Sequence, residues 1–179
     1  MAITLLTGPV ASGKSRLAAD LAGQWQGPVH LVVTAEGRDD EMRARIERHR
    51  ADRPASWRVS EEPLELAGAI AAVPAEAFAI VDCLTLWVSN RLGGGDAPDR
   101  VLDLAVEAAE AAGSRAAPTV VVTNEVGWGI VPVNELARAY RDLLGRVNGA
   151  FADRAGAAWL VVAGRAIAIA PVAHGDLLA

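Results

Sequence analysis

Eight consecutive residues, Gly8, Pro9, Val10, Ala11, Ser12, Gly13, Lys14 and Ser15, have the types and spacing to hold a nucleoside triphosphate. They match G-x-x-x-x-G-K-[ST] at every defined position and follow the apolar run Ile3 to Thr7, the strand-before-loop context that the pattern requires. Gly8 and Gly13 let the backbone curl so that successive N–H groups face phosphate oxygens, and a helix starting near Lys14 adds its positive dipole end. Lys14 is expected to reach the β- and γ-phosphates. The Ser15 hydroxyl is expected on a magnesium ion bridging them.

A second acidic element would complete such a metal site. Asp82 ends the apolar run Phe78 to Asp82, which suits a direct or water-mediated magnesium role. An Asp in that position also serves as a helix cap, here for a helix starting near Leu84.

The segment Asp39 to Arg53, DDEMRARIERHRADR, reads as a polar helix that begins acidic and ends basic, in accord with the helix dipole. Arg45 and His49 are four residues apart and share a helical face, with Arg48, Arg50 and Arg53 near in sequence. Like charge around an imidazole keeps it neutral, so His49 has the chemistry of a nucleophile toward phosphorus. A solvated surface helix is the alternative for the same segment. His30 and His174 are assigned no chemistry.

The elements that must position these groups alternate along the chain. Ile3 to Thr7, Val29 to Thr34, Phe78 to Val81, Thr119 to Thr123 and Trp159 to Val162 read as buried strands. Helices are expected at Lys14 to Ala22, Asp39 to Arg50, Leu64 to Ala72, Leu84 to Leu92, Val101 to Ala112 and Glu135 to Arg154. The fold class is therefore α/β, a P-loop NTPase-like arrangement with a mostly parallel sheet and helices on both faces. Ligands belong beyond the carboxyl ends of its strands. The chain has 179 residues, of which 52% are hydrophobic, enough for one domain with one continuous core. Arg91 to Arg100, with Gly93, Gly94, Gly95 and Pro98, reads as a surface loop.

Charge and composition narrow the partners. A formal net charge of -5 gives no positive field for nucleic acid. Cys83 is the single cysteine, expected as a small buried apolar residue in a reducing compartment. The opening MAITLLTGPV lacks the basic start and long apolar stretch of a secretory signal, which points to the cytoplasm. The most apolar tract, Ala155 to Ala173, carries Arg165 at its centre and reads as a buried strand and a turn, with no membrane span.

Several blocks together resemble one family, the bifunctional adenosylcobinamide kinase and adenosylcobinamide-phosphate guanylyltransferase. They are SGKSR in the early P-loop, the block Asp39 to Pro63, VDCLTLWVSN from Val81 to Asn90, TNEVGWGIVP from Thr123 to Pro132, RAYRDLLGRVN from Arg138 to Asn148, and the apolar strand ending VVAG at Gly164. The resemblance spans nearly the whole chain. It implies phosphoryl transfer from ATP or GTP to adenosylcobinamide, then transfer of GMP from GTP to the new phosphate, on the route to coenzyme B12.

In that family a histidine matching His49 carries GMP as a phosphoramidate, which divides one displacement into two. The resemblance also implies nucleotide contacts at Gly8 to Ser15, at Thr34, Ala35 and Glu36, at Arg50, Ala51, Asp52 and Arg53, and at Glu61 and Asp82. Glu61 suits guanine, because a carboxylate can accept the N1 and exocyclic N2 hydrogens together. A homo-oligomer, a trimer in some members, is implied as well.

The sequence departs from the family at three places. Pro9, Val10 and Ala11 replace the usual spacer of GGARSGKS, Trp128 replaces a methionine, and the tail beyond Gly164 differs. Two other functions share a P-loop: a small-molecule kinase without guanylyl transfer, and a GTP-driven regulatory switch. His49 argues against the first, and the lack of an N-K-x-D sequence against the second.

Overall fold

The computed structural model describes residues 3–37, 39–51 and 53–171, with the side chains of residues 41, 45, 49 and 51 excepted. Its centre is a sheet of seven strands in the order β3-β2-β4-β5-β1-β6-β7. The strands are β1 (Ile3–Thr7), β2 (Val29–Val33), β3 (Arg58–Glu61), β4 (Phe78–Asp82), β5 (Thr119–Val122), β6 (Ala155–Val162) and β7 (Arg165–Ile169). All neighbours pair in parallel except β6 and β7. Six helices connect them: α1 (Lys14–Gly23), α2 (Asp40–Ala51), α3 (Leu66–Ala72), α4 (Leu84–Gly93), α5 (Pro98–Gly113) and α6 (Glu135–Ala152).

The central strands are apolar throughout because both of their faces are covered. Side chains alternate across a strand, so Ile3, Leu5, Ala79, Val81 and Val121 enter one core, with Trp87, Leu144 and Phe151 from the helices. Leu6, Phe78, Ile80, Val120 and Val122 enter the other, with Ala18 and Ala22 of α1. The α/β reading and all five expected strands are present. So are all six helices, with ends moved by a few residues.

Three readings need correction. Arg58–Glu61 forms an edge strand that no apolar run announces, since only Ser60 of its four residues is even half-buried. Arg91 to Arg100 is not one loop: α4 runs to Gly93 and α5 starts at Pro98, where a proline at the first turn needs no hydrogen-bonded N–H. Of Ala155 to Ala173, the described residues, which end at Pro171, hold two strands, and neither is a buried one. In β6 only Val161 is buried, and β7 is exposed along its length. Val162 pairs with Arg165, so the two-residue turn is Ala163 and Gly164. Both have positive φ, 49° and 72°, as a tight hairpin turn requires.

Arg115 closes the edge between α3 and β4. It is 7% exposed, and its guanidinium donates to the carbonyls of Ile70, Val73, Pro74 and Ala77 and to the Thr119 hydroxyl. One buried side chain thus ties a helix end to the loop that follows it, although Ile70 O and Pro74 O also accept from the backbone N–H groups of Val73 and Ala77.

Candidate active site

The loop from Gly8 to Ser15 leaves the carboxyl end of β1 and enters α1. Its curl is enforced by three residues with positive φ: Gly8 at 143°, Ala11 at 57° and Gly13 at 102°. The hairpin tip of β6 and β7 presses against it. A Cβ on Gly8 would collide with the Val161 carbonyl oxygen, and one on Gly13 would lie 3.3 Å from Gly164 Cα. Gly164 N donates to Ser12 O at 2.8 Å, which fixes the hairpin to the loop.

Lys14 is only 6% exposed and places its ammonium inside the curl. Nζ donates to Gly8 O at 3.0 Å, to Pro9 O at 2.6 Å and to Ser12 Oγ at 3.3 Å. A curl of this kind suits a phosphate, since backbone N–H groups in such a turn can converge on an anion, and Lys14 adds a positive charge beside it. Ser15, one residue on, donates through Oγ to Asp82 Oδ1 at 3.4 Å. A hydroxyl and a carboxylate together are hard oxygen donors of the kind a magnesium ion takes, so this pair fits that ion.

Asp82 reaches this point because β4 runs in register with β2 and β5. Thr34 secures the neighbouring strand ends. Its hydroxyl accepts from Cys83 N at 3.0 Å and donates to Cys83 O at 2.7 Å, its N–H donates to Asp82 O, and its carbonyl accepts from Asn90 Nδ2. Thr34 therefore positions Asp82, and Ala35 and Glu36 are the half-buried members of that turn. Cys83 is buried as expected, and burial beside the Asp82 carboxylate pushes its thiol up to about 11, so it stays protonated.

Two spaces open from the Ser15 and Asp82 pair. A cleft of about 400 Å³ is lined by Ser15, Asp82, Arg53, Trp57, Leu31 and Ile80, among others. A smaller one adds Ala35 and Val33 and reaches Met42 and Ile46 of α2. Arg53 lies in both, where desolvation lowers its proton affinity and Asp82 opposes that shift. Arg50 is exposed and donates to Glu61 Oε1 at 2.6 Å and Glu47 Oε1 at 2.9 Å. The structure thus brings together Gly8 to Ser15, Asp82 and Arg53, with Ala35 at the edge, and puts Arg50 and Glu61 against each other. Asp52 and the side chains of His49 and Ala51 lie outside the described residues; the backbone of His49 is in the last turn of α2.

Two features escaped the sequence reading. Trp57 forms part of the cleft wall, and an isolated tryptophan carries no signal for that. Asn124 and Glu125 directly follow β5 and Thr123, and Glu125 N donates to Gly8 O at 3.1 Å. The signal was available, because a carboxylate just past TVVV parallels Asp82 at the end of FAIVD. Immediately beyond, Trp128, Ile130, Val131 and Val133 form an exposed apolar run. His30 sits in β2 against Ser60 of β3 at 3.1 Å, away from these groups. Among the described residues no helix is long and apolar enough to cross a membrane.

A parallel sheet with a phosphate loop after β1, a helix opening on Lys14 and an acid at the end of β4 defines a P-loop nucleotide-binding protein. A solved structure of a prototypical ATPase from the type III secretion system of pathogenic bacteria shares the fold. Its TM-score is 0.54 at 11% identity, over 89% of this chain and 50% of that one.

The chain belongs to the cobinamide kinase / cobinamide phosphate guanyltransferase family, whose sequence model matches residues 4–169. It is 43% identical to the bifunctional adenosylcobalamin biosynthesis protein CobU of Salmonella typhimurium, over 92% of this chain and 98% of the relative. It is 42% identical to the bifunctional adenosylcobalamin biosynthesis protein CobP of Pseudomonas aeruginosa, over 89% of this chain and 92% of the relative.

Proposed function

We propose that this chain carries out both reactions in the family's name: it phosphorylates adenosylcobinamide with ATP or GTP, then transfers GMP from GTP to the new phosphate, giving adenosyl-GDP-cobinamide. The observation that carries this reading is the assembled cradle of Gly8 to Ser15 with Asp82 at 3.4 Å from Ser15, in a chain matched by the family over residues 4–169.

In the first reaction the acceptor hydroxyl attacks the γ-phosphorus and the nucleoside diphosphate leaves. Catalysis here is chiefly positioning and charge stabilisation, which the loop N–H groups and Lys14 supply. A magnesium ion on Ser15 and Asp82 would neutralise charge on the phosphates when bound. Arg53, facing the same cleft as Ser15 and Asp82, adds a cation for phosphate oxygens.

In the second reaction His49 attacks the α-phosphorus of GTP and expels pyrophosphate; the phosphate of the acceptor then takes GMP from the imidazole. Support for His49 comes from its place three residues after Ile46, on the helix whose Met42 and Ile46 line the space beside Ser15 and Asp82. Glu61 reads guanine through its two carboxylate oxygens, oriented by Arg50. Ala35, Glu36, Arg50, Ala51 and Asp52 complete the nucleotide contacts in this reading. The setting is the cytoplasm, and the assembly is a homo-oligomer.

The test is a product analysis with GTP labelled at the α-phosphate. Without corrinoid, the protein should retain GMP in an acid-labile, base-stable bond and release pyrophosphate. Replacing His49 with Ala or Asn should remove the label and guanylyl transfer while leaving much of the kinase reaction. Cobinamide phosphate without GDP-cobinamide would reduce the reading to a kinase, and no turnover of cobinamide would leave a nucleotide switch. Label mapped to His30, His174 or a lysine would overturn the His49 mechanism.

A further inference from the structure

Phosphoryl transfer to a hydroxyl releases a proton, and the groups described so far do not provide for it. Asp82 holds the Ser15 hydroxyl, and Glu61 holds Arg50. The residue after Asp82 is Cys83, whose thiol is buried and protonated.

The sheet order anchors the backbone of another acidic residue, Glu125, to the phosphate loop. β5 lies between β1 and β4, and Val122 is in register with both Leu6 and Asp82. Whatever follows Val122 therefore emerges between the phosphate loop and the acid of β4. Thr123 N donates to Leu6 O at 3.0 Å and Glu125 N to Gly8 O at 3.1 Å, so the chain tracks β1 into the loop. Gly8 O is also an acceptor of the Lys14 ammonium at 3.0 Å. The backbone of Glu125 and the cation that meets the phosphates thus converge on one carbonyl oxygen.

The turn is held as a catalytic turn must be. Thr123 Oγ1 donates to Asn148 Oδ1 at 2.7 Å, and Asn148 Nδ2 donates to Asn124 O at 3.0 Å. Thr85 Oγ1 accepts from Asn124 N at 2.9 Å, and Tyr140 OH donates to the Thr85 carbonyl at 3.1 Å. Neighbouring side chains rigidify the backbone while the Glu125 carboxylate, half-exposed, takes one long hydrogen bond from Gly127 N at 3.3 Å and pairs with no cation among the described residues. A carboxylate with no cation partner, on a turn anchored to the phosphate loop, is suited to accept a proton.

Building on the kinase reading above, we propose that Glu125 is the general base of the phosphoryl transfer. The hydroxyl oxygen of the acceptor forms a bond to the γ-phosphorus, and its proton passes to a Glu125 carboxylate oxygen. The bond from the γ-phosphorus to the bridging oxygen breaks, and the nucleoside diphosphate leaves with that electron pair. The proton then returns to solvent across the exposed side of Glu125. GMP transfer to a phosphate already made releases no hydroxyl proton and does not need this group.

The experiment compares wild type, Glu125→Gln and Glu125→Asp in two separate assays. One follows phosphate transfer from ATP to adenosylcobinamide. The other follows GMP transfer from α-labelled GTP to supplied adenosylcobinamide phosphate. Glu125→Gln should lower kcat of the first by roughly 10²–10⁴-fold with KM for ATP little changed, and should abolish the fall of kcat on the acid side of the wild-type pH profile. Glu125→Asp should recover part of the rate together with that acid limb. GMP transfer should persist in both variants, which also shows that they fold. Wild-type kcat in Glu125→Gln, an equal loss in both assays, or a loss with the acid limb intact would each overturn the assignment. A wild-type protein that makes no cobinamide phosphate would instead overturn the kinase reading, before any variant is compared.

Discussion

Ser15 and Asp82 are 67 residues apart in the chain, yet Ser15 Oγ donates to Asp82 Oδ1 at 3.4 Å. The contact exists because β1 and β4 end at the same edge of the sheet with only β5 between them. If this pair holds magnesium, Asp82→Asn should raise the Mg²⁺ concentration for half-maximal kinase rate by roughly 10–100-fold. Titration of the rate with Mg²⁺ at saturating ATP measures it. An unchanged midpoint would leave Asp82 a purely structural acid.

Lys14 is buried within the loop that it serves, and its charge should stabilise the transferring phosphate. Lys14→Ala is expected to lower kcat/KM of the kinase reaction by at least ~10²–10³-fold and to weaken guanylylation severely. Both half-reactions should be measured after thermal unfolding is checked. Wild-type guanylylation in this variant would mean that the two reactions use separate nucleotide sites.

Arg50 donates to Glu61 at 2.6 Å, which orients a carboxylate at the end of β3. Glu61→Gln should lower kcat/KM for GTP relative to ATP in the kinase reaction by roughly tenfold, because the amide loses the charge and one acceptor. Equal losses for the two nucleotides would remove Glu61 from base recognition.

Arg115 donates to four carbonyls, and two of them, Ile70 O and Pro74 O, also accept from backbone N–H groups. Arg115→Leu fills much of the volume but removes every guanidinium bond, those to Val73 O and Ala77 O among them, and should cost about 2–4 kcal/mol of stability. Thermal unfolding should fall by roughly 5–15 °C. A midpoint within a degree of wild type would show that the edge repacks without the guanidinium.

The sequence by itself determined the elements whose signal is local. The phosphate loop was legible because glycines, a lysine and a serine must stand at fixed spacing to wrap a phosphate, and a strand and a helix must flank them. The central strands were legible because burial on both faces leaves them continuously apolar. The start of α6 at Glu135 was legible too, and the structure adds that Asn134 caps it by accepting from Ala137 N. Tertiary structure decided what depends on neighbours. Edge strand β3 carries no apolar run and β7, apolar from Ala166 to Ile169, is nonetheless exposed, so only pairing with β2 and β6 defines them. Gly8 must be glycine partly because the Val161 carbonyl from the far end of the chain lies against it. Strand order decided the rest: placing β5 between β1 and β4 is what sets Glu125 beside Gly8 and Asp82 beside Ser15, and spacing along a chain holds no record of which strands become neighbours.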